Sequence, residues 1–264
     1  MAVLQVSYYT TTLMRSTVFH AVLPNDLLPD AKKGNPHYER PMKTLYLLHG
    51  YAGNSGDWLF NCNLGDLSAK YNLAIIMPTG ENSFYLNGKG TGSAYETLTG
   101  QDLVDYTRNM FGLSCKKEDT FIGGLSMGGF GAIHTGLKYP ETFGKIVGLS
   151  SALITGSLKN MKPDTNNGIA DYDYYVRVFG DLEQVESGEN SPNYLVKHRK
   201  EKGDTIQPIF IACGKDDFLL QANREFVKVL EEQGVDCTYQ ESEGVHDWHF
   251  WNKTIEPAIQ WLLQ

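Results

Sequence analysis

Cysteine is scarce in this chain, with four residues in 264, at positions 62, 115, 213 and 237. They form no C-x-x-C pair and show no metal-ligand spacing, which excludes a disulfide scaffold and the common zinc modules. Cys213 ends an apolar stretch and reads as a small core residue. Positive charge is also in the minority: 23 Lys and Arg stand against 31 Asp and Glu, a net charge of −8. Nucleic acid is therefore a poor partner, because phosphate binding rests on clustered cations. The acidic surplus reads as solubility. No run approaches the roughly 20 apolar residues that span a bilayer. The first residues carry neither the basic start nor the apolar stretch of a secretory signal. A cytoplasmic protein without a membrane or nucleic-acid partner is the expectation, and homo-oligomerisation is left open.

What the chain does contain is enough apolar residue, 41%, to bury a large core at this length. Residues 3–13 and 17–23 alternate apolar and polar positions, which predicts an opening antiparallel pair. Residues 24–41 are rich in Pro, Asn, Asp and Lys and read as a surface connection. Continuous apolar runs at 44–48, 73–77, 120–123, 145–149 and 207–212 predict buried parallel strands. A short strand is expected at 236–240. Helical spacing falls between them at 64–71, 94–111, 129–139, 221–233 and 248–263. Strands alternating with helices predict an α/β fold with a mainly parallel sheet. Residues 153–192 break the rhythm with Gly, Asn, Asp and Tyr, and a long insertion of that kind reads as a functional cap. No composition shift marks a second domain, so residues 1–264 read as one domain with an inserted cap.

The sequence Gly124-Leu125-Ser126-Met127-Gly128 lies between the run at 120–123 and a helical stretch. A serine between glycines at a strand-to-helix junction fits the G-x-S-x-G nucleophile elbow, in which a sharp turn exposes the hydroxyl above the sheet edge. A serine hydroxyl needs a base, and the base needs a carboxylate to fix its tautomer. In an open parallel sheet those partners belong on loops at the strands' C-terminal ends, in the order Ser, acid, His. Gly214-Lys215-Asp216-Asp217-Phe218 follows one predicted strand, and Glu243-Gly244-Val245-His246-Asp247-Trp248-His249 follows the last. His246, in the loop, is favoured over His249, one turn into the closing helix. His20, His37 and His198 read as surface residues, and His134 as a structural histidine within a helix. Asp217 is favoured over Asp216. The oxyanion hole requires two backbone N–H groups. Met127 supplies one, and the loop His49-Gly50-Tyr51-Ala52-Gly53 supplies the other, with Tyr51 as the favoured donor.

Residues 83–90 contain glycines but no P-loop, and Tyr85 within them reads as pocket wall or rim. Trp58 and Trp248 flank the oxyanion and histidine blocks, and are read either as an apolar acyl pocket or as core packing. The tyrosines of Asp171-Tyr172-Asp173-Tyr174-Tyr175 could stack on a sugar or aromatic acid, or hold the cap down.

These blocks together resemble the esterase D-type α/β-hydrolases, with bacterial tributyrin and acetyl esterases the nearest in pattern: His49-Gly50-Tyr51-Ala52-Gly53-Asn54 with Asp57-Trp58, the elbow, the Asp217 turn and the His246 loop. The resemblance covers nearly the whole chain. It implies an α/β-hydrolase fold and a carboxylesterase favouring short acyl chains, with a small-molecule ester as partner and no metal or organic cofactor. It supports Asp217, since the acid of the matching block directly precedes the aromatic, here Phe218. The family also includes S-formylglutathione hydrolases, feruloyl esterases and mycolyl acyltransferases. The first usually carry a cysteine after the oxyanion strand, and residues 49–54 contain none.

Overall fold

The computed structural model describes all 264 residues. Eight strands form one sheet in the order β1-β2-β4-β3-β5-β6-β7-β8. β1 (Ala2–Thr10) and β2 (Arg15–Leu23) pair antiparallel, from Ala2↔Leu23 to Thr10↔Arg15. Exposed and covered positions alternate along most of β1, as on an edge strand with one wet face. The opening strand stops at Thr10 rather than running to residue 13, because the hairpin turns through Met14 at φ 53°. β2 meets β4 (Leu73–Pro78) antiparallel. From there β3 (Lys43–Leu48), β5 (Thr120–Leu125), β6 (Lys145–Leu149), β7 (Ile209–Gly214) and β8 (Cys237–Ser242) are all parallel. β7 begins two residues later than the apolar run suggests. Gln207 turns its side chain to the Gly136 and Phe143 carbonyls, and Pro208 has no N–H for a ladder.

Alternate residues of each parallel strand divide between two cores. Leu45, Leu47, Phe121, Phe210 and Ala212 face the layer that holds Trp58, Tyr71, Trp251 and Ile255. Tyr46, Leu48, Ile122, Ile209 and Ile211 face the layer that holds Phe130, Ile133, Leu137 and Phe226. Helices therefore cover both faces, which is why the strands read as unbroken apolar runs. The helical spacing at 94–111 resolves into a turn at Tyr95–Thr97, a π-helical segment Leu98–Asp102 and a helix Leu103–Phe111. A short helix, Asp57–Asn61, has too few residues to show a period and was not foreseen. Within 153–192 the main element is a helix, Tyr172–Phe179, capped by the Asp171 carboxylate on the Tyr174 N–H at 2.8 Å. Tyr175, Val178, Phe179, Leu182 and Val185 from this segment are buried in the larger core. No helix is long and apolar enough to cross a membrane.

Strand order reverses between β3 and β5, and the C-terminal ends of strands at such a switch point are where an open α/β sheet places its site. The helix Met127–Lys138 approaches the end of β3 closely. A Cβ on Gly128 would lie 2.4 Å from the Leu48 carbonyl oxygen and 2.6 Å from that of His49. Both obstacles are backbone and cannot swing aside. Gly128→Ala is therefore expected to cost about 3 kcal/mol through overpacking. Thermal unfolding followed by circular dichroism should show Tm lower by roughly 6–12 °C.

Candidate active site

The chain leaves β5 at Leu125 and enters the helix Met127–Lys138 through a single residue, Ser126, at φ 54° and ψ −118°. A non-glycine residue holds such a conformation only when its surroundings over-determine it, at a cost of about 1–3 kcal/mol. Three backbone hydrogen bonds do so. The Ser126 N–H donates to the Leu149 carbonyl at 2.9 Å, and the Ser126 carbonyl accepts from Phe130 at 3.0 Å and Ala152 at 2.9 Å. The hydroxyl is left partly exposed at the sheet edge.

Asp217 lies in the turn after β7 and His246 in the loop after β8. The Ser126 Oγ stands 2.9 Å from His246 Nε2, and His246 Nδ1 stands 2.9 and 3.1 Å from the two Asp217 oxygens. The carboxylate can only accept, so Nδ1 carries the proton and Nε2 is free to accept from the serine. The Asp217 side chain is fully buried. Burial alone would raise its carboxyl, but the hydrogen bonds from His246 and the Leu219 N–H outweigh it and hold the group below its ordinary value. Asp216 faces solvent. Phe218 is 69% exposed, with its ring centroid 4.6 Å from that of His246. His249 is exposed on the closing helix. His20 is bound to Ser55 at 3.0 Å and is half-buried rather than on the surface. His134 is buried against the Glu189 carbonyl at 2.9 Å.

The loop after β3 lies against the elbow, since a Cβ on Gly50 would meet Leu125 Cδ1 at 2.8 Å and Ser126 Cβ at 3.6 Å. His49 orients it. The Gly80 N–H donates to His49 Nε2 at 2.8 Å, which leaves the proton on Nδ1, and Nδ1–H donates to the Gly50 carbonyl at 2.7 Å. The Gly53 N–H adds a second bond to that carbonyl at 3.2 Å. In a trans peptide the following N–H points opposite to the carbonyl, so pinning the Gly50 carbonyl aims the Tyr51 N–H. Burial lowers the His49 pKa, against the opposing effects of the Gly50 carbonyl and Asp57, so the ring stays neutral. The Met127 N–H, in the first turn of its helix, has no intrahelical carbonyl to meet and lies at the positive end of the helix dipole.

Asn82 braces the same loop. Its Oδ1 accepts from the Ala52 N–H at 2.7 Å, and its carbonyl accepts from the Tyr174 hydroxyl at 2.7 Å. Tyr174 meets the Tyr51 ring edge-on at 5.8 Å. Neither the bracing by Asn82 nor the His49 relay was read from the sequence. The position of His49 at a strand end was the available signal, and Asn82 gave none.

Two of the three expected substrate-side aromatics need correction. Tyr85 is 0% exposed, with its hydroxyl on the His49 carbonyl at 3.2 Å, so it supports the loop from beneath and is not pocket wall. Trp58 is 1% exposed and donates its indole N–H to the Leu48 carbonyl at 2.9 Å. A buried aromatic with a polar tip seeks such a backbone partner. Trp248 is half-buried and stands edge-on to Trp58, with centroids 5.1 Å apart. The four main cavities, of about 550, 640, 570 and 190 Å³, are not lined by Ser126 or His246. No group of three or more His, Cys, Asp or Glu is arranged to hold a metal ion.

The Esterase family model matches residues 27–262. An acetyl esterase from Caldicellulosiruptor saccharolyticus is 44% identical over 262 residues, covering 99% of this chain and 98% of that protein. Among solved structures, the fluorophosphonate-binding serine hydrolase F of Staphylococcus aureus superposes with a TM-score of 0.85 at 29% identity, covering 100% of this chain and 98% of that one. The S-formylglutathione hydrolase of Staphylococcus aureus gives 0.82 at 29%, covering 100% and 99%. A ferulic acid esterase at 23% identity and a TM-score of 0.75 shares the fold, covering 99% and 97%. The chain belongs to the Esterase family, as a carboxylic ester hydrolase with an α/β-hydrolase fold.

Proposed function

We propose that the protein is a serine carboxylesterase that cleaves short-chain acyl esters through an acyl-enzyme, with acetyl groups on carbohydrates as a favoured substrate. The unbroken line of hydrogen bonds from Ser126 Oγ through His246 to the buried Asp217 carries this reading. Ser126 Oγ attacks the ester carbonyl as its proton passes to His246 Nε2. Negative charge forms on the carbonyl oxygen and is met by the N–H groups of Met127 and Tyr51. His246 then gives its proton to the departing alcohol, leaving the acyl group on Ser126. Water loses a proton to the same nitrogen and attacks the acyl-enzyme; the acid is released as His246 returns that proton to Ser126 Oγ. Asp217 keeps its charge throughout and stabilises the imidazolium. The acetyl esterase relative supports a small acyl group.

A second reading, thioester hydrolysis with the same three residues, draws on the S-formylglutathione hydrolase neighbour. The absence of cysteine from residues 49–54 weighs against it. Acetylated xylose and S-formylglutathione, assayed side by side, separate the two by their kcat/KM ratio.

On p-nitrophenyl acetate, Ser126→Ala should reduce kcat by at least about 10⁴-fold; a rate equal to wild type would remove Ser126 from the chemistry. Asp217→Asn leaves the histidine in the wrong tautomer and should lower kcat by about 10⁴-fold with KM little changed. It should also change acid stability. The lowered carboxyl of Asp217 contributes stability above the ordinary value of 3.8, and that contribution is lost as pH falls through its lower folded value. Urea midpoints across the acid range should therefore fall less steeply in the variant. His49→Ala releases the Gly50 peptide and should cost about 10–100-fold in kcat, less than the loss of a whole oxyanion donor, with a Michaelis analysis as the check.

A further inference from the structure

Two aromatic rings lie against the His246 imidazole. Trp251 meets it edge-on with centroids 5.0 Å apart and is 6% exposed. Phe218 stands at 4.6 Å with its plane tilted by 50°, and it alone of the pair faces solvent, at 69% exposure. The turn holds it there. The Asp217 N–H donates to the Gly214 carbonyl at 3.2 Å, the Asp217 carbonyl accepts from the Leu220 N–H at 3.0 Å, and the Asp217 carboxylate accepts from the Leu219 N–H at 2.8 Å. Asp217 and Leu219 are both buried, and Phe218 between them is turned outward. Val245, the residue before His246, is also exposed. The other exposed residues of the two turns, Lys215, Asp216 and Glu243, are charged, and Lys215 pairs with Glu243 at 2.7 Å.

The reaction fixes where the alcohol part of an ester must lie. Its carbonyl oxygen is held by the N–H groups of Met127 and Tyr51. Its alcohol oxygen has to come within about 3 Å of His246 Nε2 to take the proton as the C–O bond breaks. The carbon skeleton behind that oxygen therefore leaves past the groups that flank His246 at the surface.

We infer that Phe218 determines specificity for the leaving alcohol: its exposed ring seats the C–H face of a pyranose whose acetylated hydroxyl is presented to His246. The inference rests on the serine-esterase reading above. A pyranose is apolar over its ring C–H groups and polar around its rim. One exposed aromatic ring among charged residues matches that pattern, since it covers the apolar face and leaves the hydroxyls to water and to the charged rim. A long alkyl alcohol needs a continuous apolar surface, and the exposed residues of the two turns offer only Phe218 and Val245.

The test compares acetylated xylose with ethyl acetate. Both give the same acetyl-enzyme, so their kcat/KM values differ only through the alcohol, and the ratio of variant to wild type cancels the intrinsic reactivity of each ester. Phe218→Ala should lower kcat/KM on acetylated xylose about 3–10-fold more than on ethyl acetate. Truncating a side chain that stands mostly in solvent disturbs the fold little. Phe218→Tyr keeps the ring and should hold the wild-type preference within about twofold. The preference for ethyl acetate over ethyl butyrate should stay within about twofold of wild type in both variants, because the acyl side is untouched. An equal loss on both acetates makes Phe218 a shield for His246 alone and overturns the inference. A shifted acetate-to-butyrate preference places the ring on the acyl side and overturns it as well. A wild type that cleaves ethyl acetate but not acetylated xylose overturns the sugar assignment while leaving the serine chemistry in place. Hydrolysis of both esters at the wild-type rate by Ser126→Ala overturns the serine-esterase reading instead.

Discussion

The close approach of the helix Met127–Lys138 to the end of β3 is the constraint on which the rest of the site depends. It exists because Gly124 and Gly128 leave room for backbone: a Cβ on Gly124 would lie 2.3 Å from the Gly128 carbonyl oxygen. With the helix so near, the chain has one residue in which to turn from strand to helix, and Ser126 takes up a left-handed conformation that the Leu149, Phe130 and Ala152 hydrogen bonds hold in place. That turn brings the hydroxyl beside His246 and the Met127 N–H beside the loop after β3. A looser junction would leave each group intact and separate them by more than catalysis tolerates.

Around the elbow, the polar groups are arranged so that few are free to reorient. His49 accepts at one nitrogen and donates at the other, so its tautomer and the peptide it holds are fixed together. His246 is fixed the same way between Asp217 and Ser126. Asn82 and Tyr174 tie the loop after β3 to the helix Tyr172–Phe179. The site is thus preorganised by hydrogen bonds from rigid strand ends, the condition under which aligned dipoles stabilise a developing oxyanion without reorganising.

Much of this was legible in sequence because it depends on local pattern. Buried parallel strands are continuous apolar runs, and strands β3 to β6 lie close to where those runs predict. The elbow is a five-residue motif with its own glycine logic, and the order of serine, acid and histidine follows from chain topology. Where the pattern was ambiguous, the errors have physical causes. Trp58 and Tyr85 neighbour the site in sequence, yet each turns inward because its N–H or O–H finds a backbone carbonyl beneath the loop. The π-helical segment at Leu98–Asp102 left no mark on the helical spacing.

The sequence by itself determined the fold class, the serine elbow, and the strand-end loops that carry Asp217 and His246, because periodicity and glycine spacing are properties of neighbouring residues. Only the tertiary structure decided that Asp217 is buried while Asp216 faces solvent, that His49 pins the Gly50 carbonyl, and that the Trp251 ring stands edge-on to His246. The contact between Ser126 and His246 joins residues 120 positions apart. Such contacts are set by the crossing of strands and helices, which no local window of sequence encodes.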